Sequence, residues 1–181
     1  MMPNLKGRTV AIVGRAGSII GTGHGKAIDS ADVVIRINWI LPIDPALSAD
    51  TGARTDLMYH CRRAKTATRT ALELGTPTHR VRGKNRRRVA RDFFKRPDDF
   101  RPTTGFMAAV DSVKAGAREV RLYGFDVFRT GHVQERDPEG ENSSRPLGWA
   151  HNPEEERVAW RTLFKRHKHI IPDAILRKAI R

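Results

Sequence analysis

Two histidines, a group of carboxylates, two threonines and a run of glycines carry the chemistry open to this chain. His151 and Glu156 stand in the run His151-Asn152-Pro153-Glu154-Glu155-Glu156. Asn152 is a good helix cap, Pro153 suits the first helical position, and Glu155 can close a capping box. His151 then precedes the cap and Glu156 is the fourth helical residue, two positions that pack together at helix starts. The spacing predicts a carboxylate beside an imidazole. The positive helix end disfavours imidazolium while Glu156 favours it. With an ordinary pKa of about 6.5, neutral imidazole is available at pH 7 as a proton acceptor.

Two further stretches suit anions. Pro102-Thr103-Thr104-Gly105 sets two hydroxyls and a glycine ahead of an apolar-periodic run, Phe106, Ala109, Val110 and Val113. That pattern is a helix N-terminus, where unpaired N–H groups and the dipole favour negative charge. A glycine-rich turn, Gly14, Gly17, Gly21, Gly23 and Gly25, lies between the β-branched runs Thr9 to Val13 and Val33 to Ile37. Backbone N–H groups approach a phosphate closely only where no Cβ intervenes.

These residues need a scaffold, and the hydrophobic pattern supplies one. Strand (9–13), glycine turn, short helix (26–30) and strand (33–37), closing on Asn38, form the start of a nucleotide-binding α/β unit. A dinucleotide fingerprint would end the second strand on an acid; this chain has Asn38. An irregular segment follows, ending near Gly52-Ala53-Arg54-Thr55-Asp56, and Leu57 to Tyr59 reads as a third strand. Residues 62–78 read as one helix. Residues 79–101 are dense in base and partly helical, with Val89, Phe93 and Phe94 as inward anchors. The helix opened by Thr103 runs to Gly116, and Glu119 to Phe125 reads as a strand. Residues 126–148 read as a loop long enough to serve as a lid. The helix after Asn152 continues through Val158, Trp160, Leu163 and Phe164. Arg166 to His169 forms a basic, solvated helix end, and 172–181 a short amphipathic helix. The expected architecture is one α/β domain, 1–181, with a Rossmann-like, mainly parallel sheet flanked by helices.

Composition sets the remaining bounds. The 181 residues include 34 Lys and Arg against 20 Asp and Glu, a formal charge of +14. Such a surface attracts nucleic acid, anionic lipid, acidic glycans or nucleotides. No zinc-ligand cluster, aromatic-rich strand or basic region joined to heptads marks a nucleic-acid module. The lone Cys61 excludes an internal disulfide and suits a reducing compartment. No apolar run approaches the ~20 residues of a membrane span, and the N-terminus lacks a signal-peptide core. A soluble cytoplasmic protein is expected, with residues 79–101 as a candidate anionic-surface contact.

The same stretches resemble glycosyltransferase family 29, the eukaryotic-type sialyltransferases. Gly14, Gly17, Gly21, Gly23, Gly25, Ile28-Asp29-Ser30, Asp32-Val33-Val34, Arg36 and Asn38 follow the large sialylmotif. Gly52, Arg54 and Thr55 follow the step after it. Pro102 to Gly105, the apolar helix and Tyr123-Gly124-Phe125 resemble the small sialylmotif. His132 and Glu135 fit the third motif without its aromatics, and His151 with Glu156 is similar to the very small motif, His-x4-Glu. The resemblance covers most of residues 9–160. It implies a GT-A-like variant that inverts the anomeric centre of a CMP-activated acidic sugar, CMP-sialic acid or a relative such as CMP-Kdo, on a glycan or glycolipid hydroxyl. It implies nucleotide contacts by Gly14, Arg15, Gly17, Ser18, Asn38, Thr103, Thr104 and Gly105. His151 would be the general base, paired with Glu156, and His132 the donor to the departing phosphate. The chain has no Asp-x-Asp, so no metal and no other cofactor is expected. Arg15 and Ser18 replace the family's turn asparagines, its paired cysteines fall near Val10 and Gly116–Ala117, and its anchor and stem are not expected here. These departures suit a soluble bacterial or viral member. A basic nucleic-acid-binding protein and a non-catalytic nucleotide-binding relative remain as alternatives.

Overall fold

The computed structural model describes residues 3–61, 64–94, 101–134 and 151–181. Its elements are β1 (Thr9–Val13), α1 (Gly25–Asp29), β2 (Val33–Ile37), α2 (Ser48–Thr51), β3 (Leu57–His60), α3 (Lys65–Glu73) and β4 (Thr78–Arg80). They continue with α4 (Gly83–Phe93), α5 (Thr104–Lys114), β5 (Glu119–Tyr123), α6 (Pro153–Arg166), β6 (Ile170–Pro172) and α7 (Ala174–Ala179). The six strands form one sheet in the order β4-β3-β2-β1-β5-β6. Every neighbouring pair is parallel.

Burial explains why the central strands read as unbroken apolar runs. All five residues of β1 and of β2 are buried, as expected where helices cover both faces of a parallel sheet. Val10, Ile12, Val33 and Ile35 face one core layer with Phe106, Trp160, Leu163 and Leu176. Ala11, Val13 and Val34 face the other with Ile19, Ile28, Trp39 and Ala71. In the first layer Phe106 meets Trp160 edge-on at 4.8 Å. Val89 and Phe94 are buried there too, so the inward side of the basic stretch is as expected.

Three expectations need correction. Residues 62–78 do not form one helix; α3 is shorter, Gly75 turns the chain at φ +66°, and β4 follows. Strands β4 and β6 were not foreseen. Each is three residues long, at a sheet edge, and β6 ends on Pro172, which edges tolerate. Strand β5 stops at Tyr123 because Gly124 takes φ +69°. Glu135, residues 135–148 of the expected lid, Trp149, and Lys95 and Arg96 of the basic stretch lie outside the described residues. No helix among the described residues is long and apolar enough to cross a membrane.

Candidate active site

The strand order fixes where a ligand can sit. From β1 the chain moves outward on one side through β2, β3 and β4, then returns to place β5 and β6 on the other. Ligands of open α/β sheets bind beyond the carboxyl ends of the strands at such a reversal. Around that crevice stand Gly14 after β1, Asn38 after β2, Cys61 after β3, Gly124-Phe125 after β5, and the N-terminus of α5.

The glycine turn is built differently from the expected phosphate cradle. The Gly14 N–H donates to Tyr123 O at 2.8 Å and the Gly17 N–H to Gly131 O at 2.7 Å. The Ser18 N–H donates to Thr130 Oγ1 at 3.1 Å, and the Ser18 hydroxyl to Asp126 at 3.0 Å. These donors stitch the turn to the end of β5 and to residues 126–134. Gly21 and Gly23 do cradle an anion, but it is the chain's own Asp50, at 2.8 and 2.7 Å. Those N–H groups hold the Asp50 carboxyl below the ordinary carboxylate range. Arg15 is buried and donates through Nη1 to Gln134 O at 3.0 Å, so it too ties down the 130–134 segment.

Two glycines assigned to the nucleotide have a packing reason. A Cβ on Gly105 would stand 2.3 Å from Cε1 of Phe125, and one on Gly14 would stand 2.9 Å from the same atom. Phe125 thus wedges between the β1 turn and α5, with Trp160 5.9 Å behind it. In sequence Phe125 stands as a strand end within the small-motif resemblance, and nothing there marks it as a wedge.

Asn38 and the start of α5 stand at the crevice with donors that the turn lacks. Asn38 sits at φ +56°, a left-handed conformation that Asn tolerates. Its Oδ1 accepts the Cys61 N–H at 2.9 Å, and its Nδ2 meets no acceptor among the described residues. Thr103 caps α5 by accepting the Phe106 N–H at 3.1 Å. The N–H groups of Thr104 and Gly105 lack intrahelical acceptors, as the first donors of a helix do, and the dipole adds to their pull on an anion.

Four consecutive residues here are each held by another element. His151 Nδ1 lies 2.6 Å from Arg101 O. A carbonyl only accepts, so Nδ1 carries the proton and neutral imidazole has its lone pair on Nε2. The ring of His151 stacks on Phe128, 5.9 Å and 10° apart. Arg86 donates to Pro102 O and, at 2.8 Å, to Thr104 Oγ1. Thr103 donates to Oε1 of Glu156 at 2.5 Å. That corrects one expectation: the Glu156 carboxyl is organised by Thr103 rather than by the imidazole. Asn152 caps α6 as foreseen, accepting from Glu154 and Glu155 at 2.9 and 3.1 Å. The backbone of His132 pairs with Ala16 in an antiparallel bridge, beside the turn that follows β1.

Phe128 and Arg86 were missed. Phe128 follows Val127, and both take positive φ, 64° and 55°. Such outliers store strain and cluster at functional sites. The aromatic in the loop was its only signal. Arg86 was one base among many, and nothing in sequence separated it from its solvated neighbours.

Other motif residues are structural. Arg36, fully buried, donates to the carbonyls of Thr51, Gly52 and Arg54 and to Thr55 Oγ1, all at 2.8–2.9 Å. Burial lowers it to about 10, with Asp29 opposing. Asp29 accepts from the N–H groups of Ala53 and Arg54 at 2.9 and 3.1 Å. The large motif and the step after it therefore clasp each other.

Comparison with known proteins gives the following. The family model for glycosyltransferase family 29 (sialyltransferase) matches residues 2–93, half of the chain. Sialyltransferase-like protein 2 from Oryza sativa subsp. indica is 40% identical over 52 residues, 29% of this chain and 13% of that protein. The match thus spans about an eighth of that relative's length. A mammalian sialyltransferase solved with Gal-beta-1-3GalNAc-ortho-nitrophenol aligns at TM-score 0.58 and 18% identity, over 92% of this chain and 69% of that one. A variant of the sialyltransferase CST-II solved with CMP aligns at TM-score 0.63 and 14% identity, over 91% and 80%. CstII is from Campylobacter jejuni. Those two likenesses are of fold.

Proposed function

The chain belongs to glycosyltransferase family 29, the sialyltransferases, and we propose that it transfers an acidic sugar from a CMP-sugar to a glycan hydroxyl with inversion. One observation carries this reading. The His-x4-Glu stretch and the Thr-Thr-Gly helix start, fifty residues apart in sequence, are bonded to each other beside the sheet's reversal point. The mammalian sialyltransferase was solved with Gal-beta-1-3GalNAc-ortho-nitrophenol and the CST-II variant with CMP, a glycan and a cytidine nucleotide of the kinds this reading requires.

The chemistry follows from the geometry. The phosphate of the donor meets the N–H groups of Thr104 and Gly105 and the Nδ2 of Asn38. His151 Nε2 takes the proton of the acceptor hydroxyl as its oxygen bonds to the anomeric carbon. The bond from that carbon to the CMP phosphate oxygen breaks, and His132 donates a proton to the phosphate. The bond to the Arg101 carbonyl selects the His151 tautomer and the stack on Phe128 holds the ring's orientation. General-base help of this kind is worth about 10²–10⁴-fold. A metal is not part of this scheme.

Incubation with CMP-sialic acid or CMP-Kdo and a galactosyl acceptor, with CMP release as readout, tests the proposal. His151→Ala is expected to cut kcat by about 10²-fold or more at unchanged affinity for CMP. Activity within a few-fold of the parent would end the assignment.

A further inference from the structure

Glu156 is buried to 2% exposure at the start of α6. Its Oε1 takes the Thr103 hydroxyl at 2.5 Å, and its Oε2 has no hydrogen-bond partner among the described residues. A buried carboxylate with one bare oxygen is costly, whereas a carboxylic acid in the same place is not. The groups facing it are Thr103 at the start of α5 and the Arg86 guanidinium from α4, with Cys61 and Arg101 near Arg86. His151 precedes it on its own segment.

The Thr103 hydroxyl has a single proton. Its oxygen already accepts the Phe106 N–H. While Glu156 is ionised, that proton points at Oε1, and a ligand in the crevice meets only a lone pair, which repels a phosphate. A proton from solvent on Oε1 reverses the bond. The acid O–H then donates to Thr103 Oγ1, and the threonine O–H can turn outward to a ligand oxygen.

We propose that Glu156 is a positioning residue acting through Thr103, and that protonation of its carboxyl turns the Thr103 hydroxyl from Glu156 to a bound nucleotide. The inference rests on the reading that Thr103 faces the donor. Only O–H bonds change, and the proton comes from buffer. Burial raises the Glu156 carboxyl to about 7, against the opposing Thr103 bonds and Arg86. Both forms are therefore populated near neutrality. Nucleotide binding then consumes a proton there.

The test uses the full chain and cytidine 5′-monophosphate methyl ester, a phosphodiester with no group titrating between pH 6 and 8. Titration calorimetry in buffers of different ionisation enthalpy reads proton uptake. Uptake should approach one proton at pH 8, with affinity about 5-fold weaker there than at pH 7, in proportion to the protonated fraction. In Glu156→Gln the amide can donate to Thr103 at every pH, so uptake should vanish and affinity stay level from pH 7 to 8. In Thr103→Val the ester should bind more weakly at pH 6, with no pH dependence. Binding without uptake at pH 8 overturns the inference. So does uptake that persists in Glu156→Gln or disappears in His151→Ala. Absence of binding at pH 6 overturns both this inference and the nucleotide reading beneath it.

Discussion

Gly105→Ala separates two reasons for a glycine at the start of α5. If the glycine served only to let a donor approach, an added methyl would weaken donor binding and leave folding alone. The structure gives it a packing reason as well. The new Cβ would lie 2.3 Å from Cε1 of Phe125. Ordinary carbon contacts are ~3.5–4.0 Å, so ring or helix must retreat by about 1 Å or more. The ring has little room, because Gly14 approaches it on the β1 side and Trp160 stands 5.9 Å away. Overpacking of this size costs about 1–3 kcal/mol, a fall in Tm of roughly 4–8 °C for the middle of that range. Phe125→Leu removes the ring atoms that clash. Placed together, the two substitutions should recover about 1 kcal/mol or more relative to the sum of the singles. Urea unfolding of the four proteins measures this through the midpoint, with m constant as the check on two-state behaviour. A Gly105→Ala protein with the parent's midpoint, or strictly additive singles, would refute the wedge and leave ligand approach as the sole reason for the glycine.

Three further outcomes follow from named contacts. Arg36→Lys keeps a charge but cannot reach four acceptors on the 51–55 turn. Orphaned buried acceptors at about 1–3 kcal/mol each predict a loss of about 3 kcal/mol in thermal unfolding, and a loss under about 1 kcal/mol would contradict it. Asn38→Asp retains the acceptor for the Cys61 N–H but replaces the Nδ2 donor with a charged oxygen. Stability should hold while affinity for a cytidine nucleotide falls by about tenfold or more; unchanged affinity in calorimetry would move the nucleotide away from Asn38. For Glu156 the folded carboxyl is raised from 4.5 to about 7. Between those values the folded state keeps a proton the unfolded state has lost. Stability therefore falls as pH rises through that window, by about 3 kcal/mol at most. Glu156→Gln should flatten that slope in urea unfolding at pH 5 and 7.5, and equal slopes would assign it elsewhere.

Legibility followed burial and local chemistry. Strands β1 and β2 were readable because both faces are covered, so every position is apolar or buried and the runs are unbroken. The helix start within Pro102 to Gly105 and the cap at Asn152 were readable because such signals use only the next few residues. Strands β4 and β6 were not, since their strand state comes from pairing with β3 and β5 and no pattern of their own. The candidate site divides the same way. His151 and Glu156 stand out in sequence by their spacing, but the Thr103 that bonds Glu156 lies 53 positions away, and no spacing rule reaches that far. Arg86 was hidden for the opposite reason: its neighbours share its charge, and only the fold separates the base that bonds α5 from those that meet solvent.

The spent N–H groups of the glycine turn alter how the large motif works. A turn whose donors are already bonded to Tyr123, Gly131 and Thr130 cannot also wrap a phosphate without breaking those bonds, each worth about 0.5–1.5 kcal/mol net. Its glycines instead let three segments come close: the β5 end, the 126–134 segment and Phe125. In the proposed reading the anion falls to the helix start of the small motif, where the first N–H groups lack intrahelical acceptors and the dipole points the right way. Asp126 completes the logic. It gathers the N–H groups of Arg129 and Thr130 and the Ser18 hydroxyl, so the strained turn carrying Phe128 is fastened to the glycine turn. The ring that stacks on His151 and the backbone of His132 are thus positioned by one small loop. A change at Ser18 or Asp126 should therefore be felt at both histidines together, although neither residue touches an imidazole.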